Sequence, residues 1–130
     1  MALINVTFPG GKRVDATIRN FTICSDQPVY AGGEGSAPTP FEGFLASIAN
    51  CAGIFALGFC QGKGLSTEGL GLTMDVETHP ETKAVVKVIL NLTLPEGFPE
   101  KYIPAIERSI DLCSVKKHLH NPPEFQTVIR

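Results

Sequence analysis

Three observations predict an α+β fold for this 130-residue chain, with small antiparallel sheets, a long buried central helix and a second helix. Two stretches, 13–19 and 83–94, alternate apolar and polar residues as half-buried strands do. Between them, Ala37 to Cys60 is apolar on nearly every side and has a marked helix start. A shorter apolar-periodic run, Pro99 to Leu112, follows the second pair of strands. The length fits a single domain over 1–130.

Ala2 to Phe8 reads as a first strand, ended by the turn signal Pro9-Gly10-Gly11-Lys12. From Arg13 to Arg19, Val14, Ala16 and Ile18 face one way and Asp15, Thr17 and Arg19 the other. Phe21 to Cys24 is a short third strand, and Ser25 to Pro38 is a Gly-, Pro- and Ser-bearing loop. The helix then starts with Thr39 as N-cap, Pro40 in the first helical position and Glu42 three residues after the cap. That is the capping-box pattern, with proline where a missing N–H costs nothing. The helix is expected to end near Gln61, before Gly62-Lys63-Gly64. So apolar a helix needs cover on all faces, more than one small sheet supplies.

Leu70 to Glu77 and Lys83 to Leu94 flank His79-Pro80-Glu81-Thr82 and predict a hairpin. The second helix spans Pro99 to Leu112, with Pro104 in its first turn or kinking it. Ser114 is read as the cap of a short helix from Val115 to Leu119, ended by Asn121-Pro122-Pro123. Phe125 to Ile129 is expected as an edge strand.

Eleven basic against thirteen acidic residues give a net charge of -2, which argues against nucleic-acid or acidic-membrane binding. The first residues lack the basic and apolar regions of a signal peptide. Glycines, Glu42, Ser47 and Asn50 interrupt the longest apolar run, so no membrane span is expected. A cytoplasmic location follows, and there the four cysteines are free, catalytic or metal-bound rather than disulfide-bonded.

Cys24, Cys51, Cys60 and Cys113 are separated by 27, 9 and 53 residues, so no C-x-x-C pair exists. Metal is not implied, and His118 and His120 read as surface histidines at a helix end. Cys51 and Cys60 point about 180° apart on one helix and lie roughly 13 Å apart along it, too far to bond. Cys24 and Cys60 are read as small buried hydrophobes. Cys113 precedes a short helix and two lysines, both of which favour a thiolate; Cys51, in mid-helix, has no such help from its own helix.

The run D-Q-P-V-Y-A-G-G-E-G-S-A-P-T-P-F-E-G-F-L-A-S-I-A-N-C, Asp26 to Cys51, resembles the signature of the OsmC/Ohr family of osmotically inducible and organic-hydroperoxide-resistance proteins. C-S-V-K-K-H-L, Cys113 to Leu119, is similar to that family's C-P-V-[SH]-[RK]-x-L. The resemblance implies an intertwined homodimer with two long central helices packed together. It implies that Cys51 attacks a peroxide and that Cys113 then forms a disulfide with it. An external dithiol of lipoyl type would reduce the disulfide; no bound cofactor is implied. Glu42 and Arg13 are the expected carboxylate and cation of the site, with Lys12 and Arg19 as other sources of the cation. Two departures stand out. Phe41 separates Pro40 from Glu42, so the acid lies nine residues before Cys51 rather than ten, and Arg13 is one residue out of step with a G-G-R turn.

Two functions remain in view. One is a thiol-dependent peroxidase reducing organic hydroperoxides through Cys51 and Cys113. The alternative is an OsmC-like non-peroxidase that binds or senses a small hydrophobic ligand. A purely structural role would leave both cysteines closed to alkylating reagents.

Overall fold

Alternation along the first 25 residues produces three strands, β1 (Ile4–Gly10), β2 (Arg13–Ile18) and β3 (Phe21–Ser25), paired antiparallel in that order. The structure, a computed structural model, describes residues 2–130 and divides into two compact units, 1–46 and 47–130. In the first unit the register places Ile4 opposite Ile18, Val6 opposite Ala16, and Ala16 opposite Ile23. One face of the sheet is therefore apolar, and Ile4, Val6, Phe21 and Ile23 on it stay exposed.

The loop after β3 is pinned by Asp26, whose side chain is buried. Its carboxylate accepts from the Gln27 amide at 2.7 Å and from the Ser36 amide and hydroxyl. The Ser36 hydroxyl, then the Gln27 and Ser36 amides, outweigh burial and hold its pKa at about 2. Gly33 packs so closely on Gln27 that an added Cβ would lie 2.0 Å from its carbonyl oxygen. Gly33 is thus a steric requirement of this loop, and Gly32 beside it takes the left-handed conformation at φ 92°.

Helix α1 (Pro40–Gly62) is 23 residues long. The capping box forms as the sequence predicts: the Thr39 amide donates to Glu42 Oε1 at 2.9 Å and the Glu42 amide to Thr39 Oγ1 at 3.2 Å. Its end is a Schellman motif, with Gly64 at φ 66°, Gly64 N–H on the Gln61 carbonyl and Leu65 N–H on the Cys60 carbonyl. By length and mean hydropathy, 1.8 over its best window, the helix could cross a membrane, so the interrupting residues do not exclude it on composition. In this chain its buried positions are Ile48, Ala52, Ala56 and Cys60, one stripe at i, i+4 spacing. The all-round burial expected for it is not met within one chain, since Ile54 is 59% exposed and Asn50 lies at the surface.

In the second unit β4 (Gly71–Thr78) and β5 (Val85–Thr93) form a hairpin. His79 holds the turn, its Nδ1 accepting the Glu81 and Thr82 amides at 3.2 Å each. Leu72 opposite Leu92, Met74 opposite Leu90 and Val76 opposite Val88 make its apolar face. Leu72, Leu90 and Leu92 pack on a core of Ala52, Ala56, Cys60, Ile106 and Ile110. Cys60 is core, as its sequence reading has it; Cys24 is exposed, contrary to that reading, because it projects beside Asp15 on the polar face of the first sheet.

The expected Pro99–Leu112 helix is split. A 3-10 turn, Glu100–Tyr102, leads into α2 (Ile103–Ile110), with Pro104 in the first turn, where no interior hydrogen bond is lost. Then α3 runs over Ser114–His120 with Cys113, not Ser114, at the cap position. Phe125 to Ile129 forms no strand, and Phe125 is 89% exposed. Strand propensity is expressed only where a neighbour completes the ladder, and no described strand of this chain pairs with that segment.

Candidate functional site

Cys51 and Cys113 come together in the second unit. Cys51 is three residues after buried Ile48 on α1, and Cys113 sits in the turn between α2 and α3. The Cys113 amide donates to the Ile110 carbonyl at 3.3 Å, and its own carbonyl accepts the Lys117 amide at 3.1 Å. With φ -51° and ψ 128°, Cys113 is an N-cap whose side chain bonds no backbone N–H of its own helix as an acceptor cap would. Its thiol instead meets Cys51, and the two side chains are hydrogen-bonded. Both are free cysteines; Cys113 is wholly buried and Cys51 partly so.

The bonding around the two sulfurs is unequal. Burial works against the Cys51 thiolate, but the Cys113 S–H and the Val115 and Ser114 amides outweigh it and bring the thiol below its ordinary value. For Cys113, burial comes first, and donation to Cys51 and that sulfur's charge add to it, so its thiol is pushed up despite the Lys116 and Val115 amides. The surroundings therefore favour ionisation of Cys51 over that of Cys113. This reverses the electrostatic reading from sequence, which gave the short helix and its lysines to Cys113. The helix starts one residue earlier than the sequence reading has it, and part of its amide set serves the sulfur of α1. Sequence spacing held no signal for that contact, because it depends on tertiary packing.

The other two expected site residues lie in the first unit. Glu42 is engaged in the capping box with Thr39. Arg13 begins β2 and donates from Nε to the Gly10 carbonyl at 3.4 Å. Lys12 lies in the same turn, and Arg19, at φ 53°, places its guanidinium 5.0 Å from the centre of the Phe21 ring. Sequence reasoning counted Lys116 as a charge favouring a Cys113 thiolate and missed its ion pair: its ammonium is 2.6 Å from Asp111 Oδ1 across the turn that carries Cys113. The only signal was an acid two residues before the cysteine and a base three after it.

An apolar cavity of about 470 Å³ lies in the second unit, lined by Leu72, Val88, Leu90, Leu92, Ile106 and Ile110, with Glu107, Asp111 and Lys116 among its polar lining. A smaller one of about 180 Å³ shares Val88, Leu90 and Lys116 with it and adds Ile48, Leu119 and His120. Phe55 borders a separate hollow with Phe59 and Leu112, and Phe44 packs on Phe41. His118 Nδ1 bonds the Ser114 carbonyl at 2.6 Å, a local helix contact.

A family model described as OsmC-like protein matches residues 33–128, which hold α1 and both cysteines of the pair. The chain belongs to the OsmC-like family. Solved structures bear out the α+β fold of this OsmC-like chain. A protein designated for the osmotic stress and detoxification response of Psychrobacter arcticus 273-4 is similar with a TM-score of 0.76 and 22% identity over 90% of this chain and 87% of that one. An OsmC-like protein from Mycoplasma pneumoniae gives 0.72 and 15% over 92% and 86%. An organic hydroperoxide resistance protein OsmC from Legionella pneumophila gives 0.55 and 20% over 92% and 90%. At these identities the likeness is one of fold. No curated relative matches the sequence.

Proposed function

We propose that this OsmC-like protein is a thiol-dependent peroxidase acting on organic hydroperoxides through Cys51 and Cys113. The observation that carries the reading is the hydrogen-bonded pair of free thiols, with Cys51 favoured as thiolate and Cys113 as thiol. The Cys51 thiolate attacks the outer oxygen of the hydroperoxide. The O–O bond breaks, Cys51 becomes a sulfenic acid, and the departing alkoxide takes a proton from solvent and leaves as the alcohol. The Cys113 sulfur then attacks the sulfenic sulfur, forming the disulfide and releasing water. A dithiol of lipoyl type returns two electrons and two protons through thiol–disulfide exchange. Glu42 and Arg13 enter the reading as the carboxylate and cation that the family resemblance implies.

We also propose a homodimer in the cytoplasm. The exposed apolar face of the first sheet and the exposed Phe41 and Ile54 of α1 support a second copy as cover. One equivalent of cumene hydroperoxide should consume two thiols and yield a Cys51–Cys113 disulfide by mass spectrometry. Full peroxide consumption by Cys51→Ser would end this reading. The 470 Å³ apolar cavity favours a second one, in which a non-peroxidase binds or senses a small hydrophobic molecule. Intact thiols after peroxide, with a ligand retained through purification, would then be found.

A further inference from the structure

We infer that Lys116 and Asp111 are positioning residues that brace the turn carrying Cys113, holding its sulfur against Cys51. This rests on the peroxidase reading for its kinetic consequence but not for its geometry. Asp111 caps the end of α2, with its amide on the Glu107 and Ser109 carbonyls. Lys116 lies in the first turn of α3, and its ammonium reaches back over the intervening residues to Asp111 Oδ1. Lys116 thus ties the start of α3 to the end of α2 on either side of Cys113.

The side chain is not a free surface lysine. It is 28% exposed against 69% for Asp111, and it borders both apolar cavities beside Val88 and Leu90. A partly buried stem and a charge fixed at its tip leave the turn few alternative positions. Disulfide formation requires the Cys113 sulfur to approach Cys51 to about 2.05 Å. A turn free to drift would lower the fraction of time spent in that approach.

The test compares Lys116→Met, which keeps an apolar stem without charge, with Asp111→Asn and Lys116→Arg. Two readouts are taken: the pH profile of Cys51 alkylation, followed by peptide mass spectrometry, and the lifetime of Cys51 sulfenic acid after one equivalent of cumene hydroperoxide. Besides Cys51, Cys113, Asp111 and Lys116, the charged and titratable groups around the turn are Glu107 and His120, which line the same cavities as Lys116, and Arg108, Lys117 and His118 on α2 and α3. Lys116→Met and Asp111→Asn should each move the alkylation midpoint to higher pH and lengthen the sulfenic acid lifetime about two- to fivefold, the scale of a partly exposed ion pair. The double variant should show no further change, and Lys116→Arg should match the wild type. Unchanged profiles in both neutralised variants, or additive effects in the double variant, would overturn the brace. Failure of the peroxidase reading shows separately, as a wild type that forms no sulfenic acid; the alkylation profile then still decides the brace.

Discussion

At the start of α1, Thr39 and Glu42 close on each other's amides. At the start of α3 no side chain of that helix caps it, and the Ser114 and Val115 amides favour the Cys51 sulfur of α1 instead. Both solutions satisfy N–H groups that a helix leaves open. The first uses a carboxylate and a hydroxyl that are always available, and its product is stability. The second uses a thiol, which accepts weakly until it ionises. A helix start left to sulfur therefore favours the thiolate, and its product is reactivity.

The largest break in this contrast comes from the resolving thiol itself. Cys113→Ala should cut steady-state peroxide turnover by roughly 100-fold or more, because the sulfenic acid is left without its partner. It also removes the S–H donor from Cys51, so the alkylation profile of Cys51 should move to higher pH. In the wild type the sign is the opposite. The Cys51 thiol lies below its ordinary value of 9.0, so half-maximal alkylation falls below that pH. The stability contributed by its thiolate is present above the unfolded value and is lost as pH falls through the folded one. Equal alkylation of Cys51 and Cys113 at all pH values would contradict the assignment.

A finer cut removes one amide. Ser114→Pro deletes an N–H that serves Cys51, at the first helical position, where proline is tolerated. Cys113 already has ψ 128°, a value that a residue before proline favours. The motif that Cys113–Leu119 resembles carries proline here, so the helix should form. The Cys51 midpoint should rise by about one pH unit, the worth of a hydrogen bond to a charged group. An unmoved midpoint would show that this amide does nothing for the sulfur.

The two starts also mark what was legible in the sequence. Thr39, Pro40 and Glu42 act within one turn of each other, so spacing alone predicts the box that forms. The strands, the hairpin and the ends of α1 are local in the same sense, and they were read to within a few residues. The thiolate on Cys51 was not readable from periodicity, because its donors lie more than 60 residues along the chain. Resemblance named the pair; only packing says which sulfur the amides serve. Two readings failed where they depended on how a strand is paired. Cys24 is exposed because it falls on the polar side of a sheet, and Phe125–Ile129 stays unpaired for want of a ladder partner.

The smallest effects test whether the start of α1 is a cap and nothing more. Thr39→Ala removes the acceptor of the Glu42 amide and should lower stability by about 1 kcal/mol, read as a fall in Tm. Because that bond is exposed and belongs to the first unit, the Cys51 alkylation profile should not change. Glu42→Gln is the sharper probe. It keeps the side-chain oxygen that accepts the Thr39 amide, so the box survives and stability should change by only a few tenths of a kcal/mol. A cap needs the acceptor; a carboxylate that assists the peroxide chemistry needs the charge. If Glu42→Gln keeps both Tm and turnover, its part is the one the hydrogen bonds describe. If turnover falls while Tm holds, the same carboxylate serves helix and reaction, and the two helix starts share one function after all.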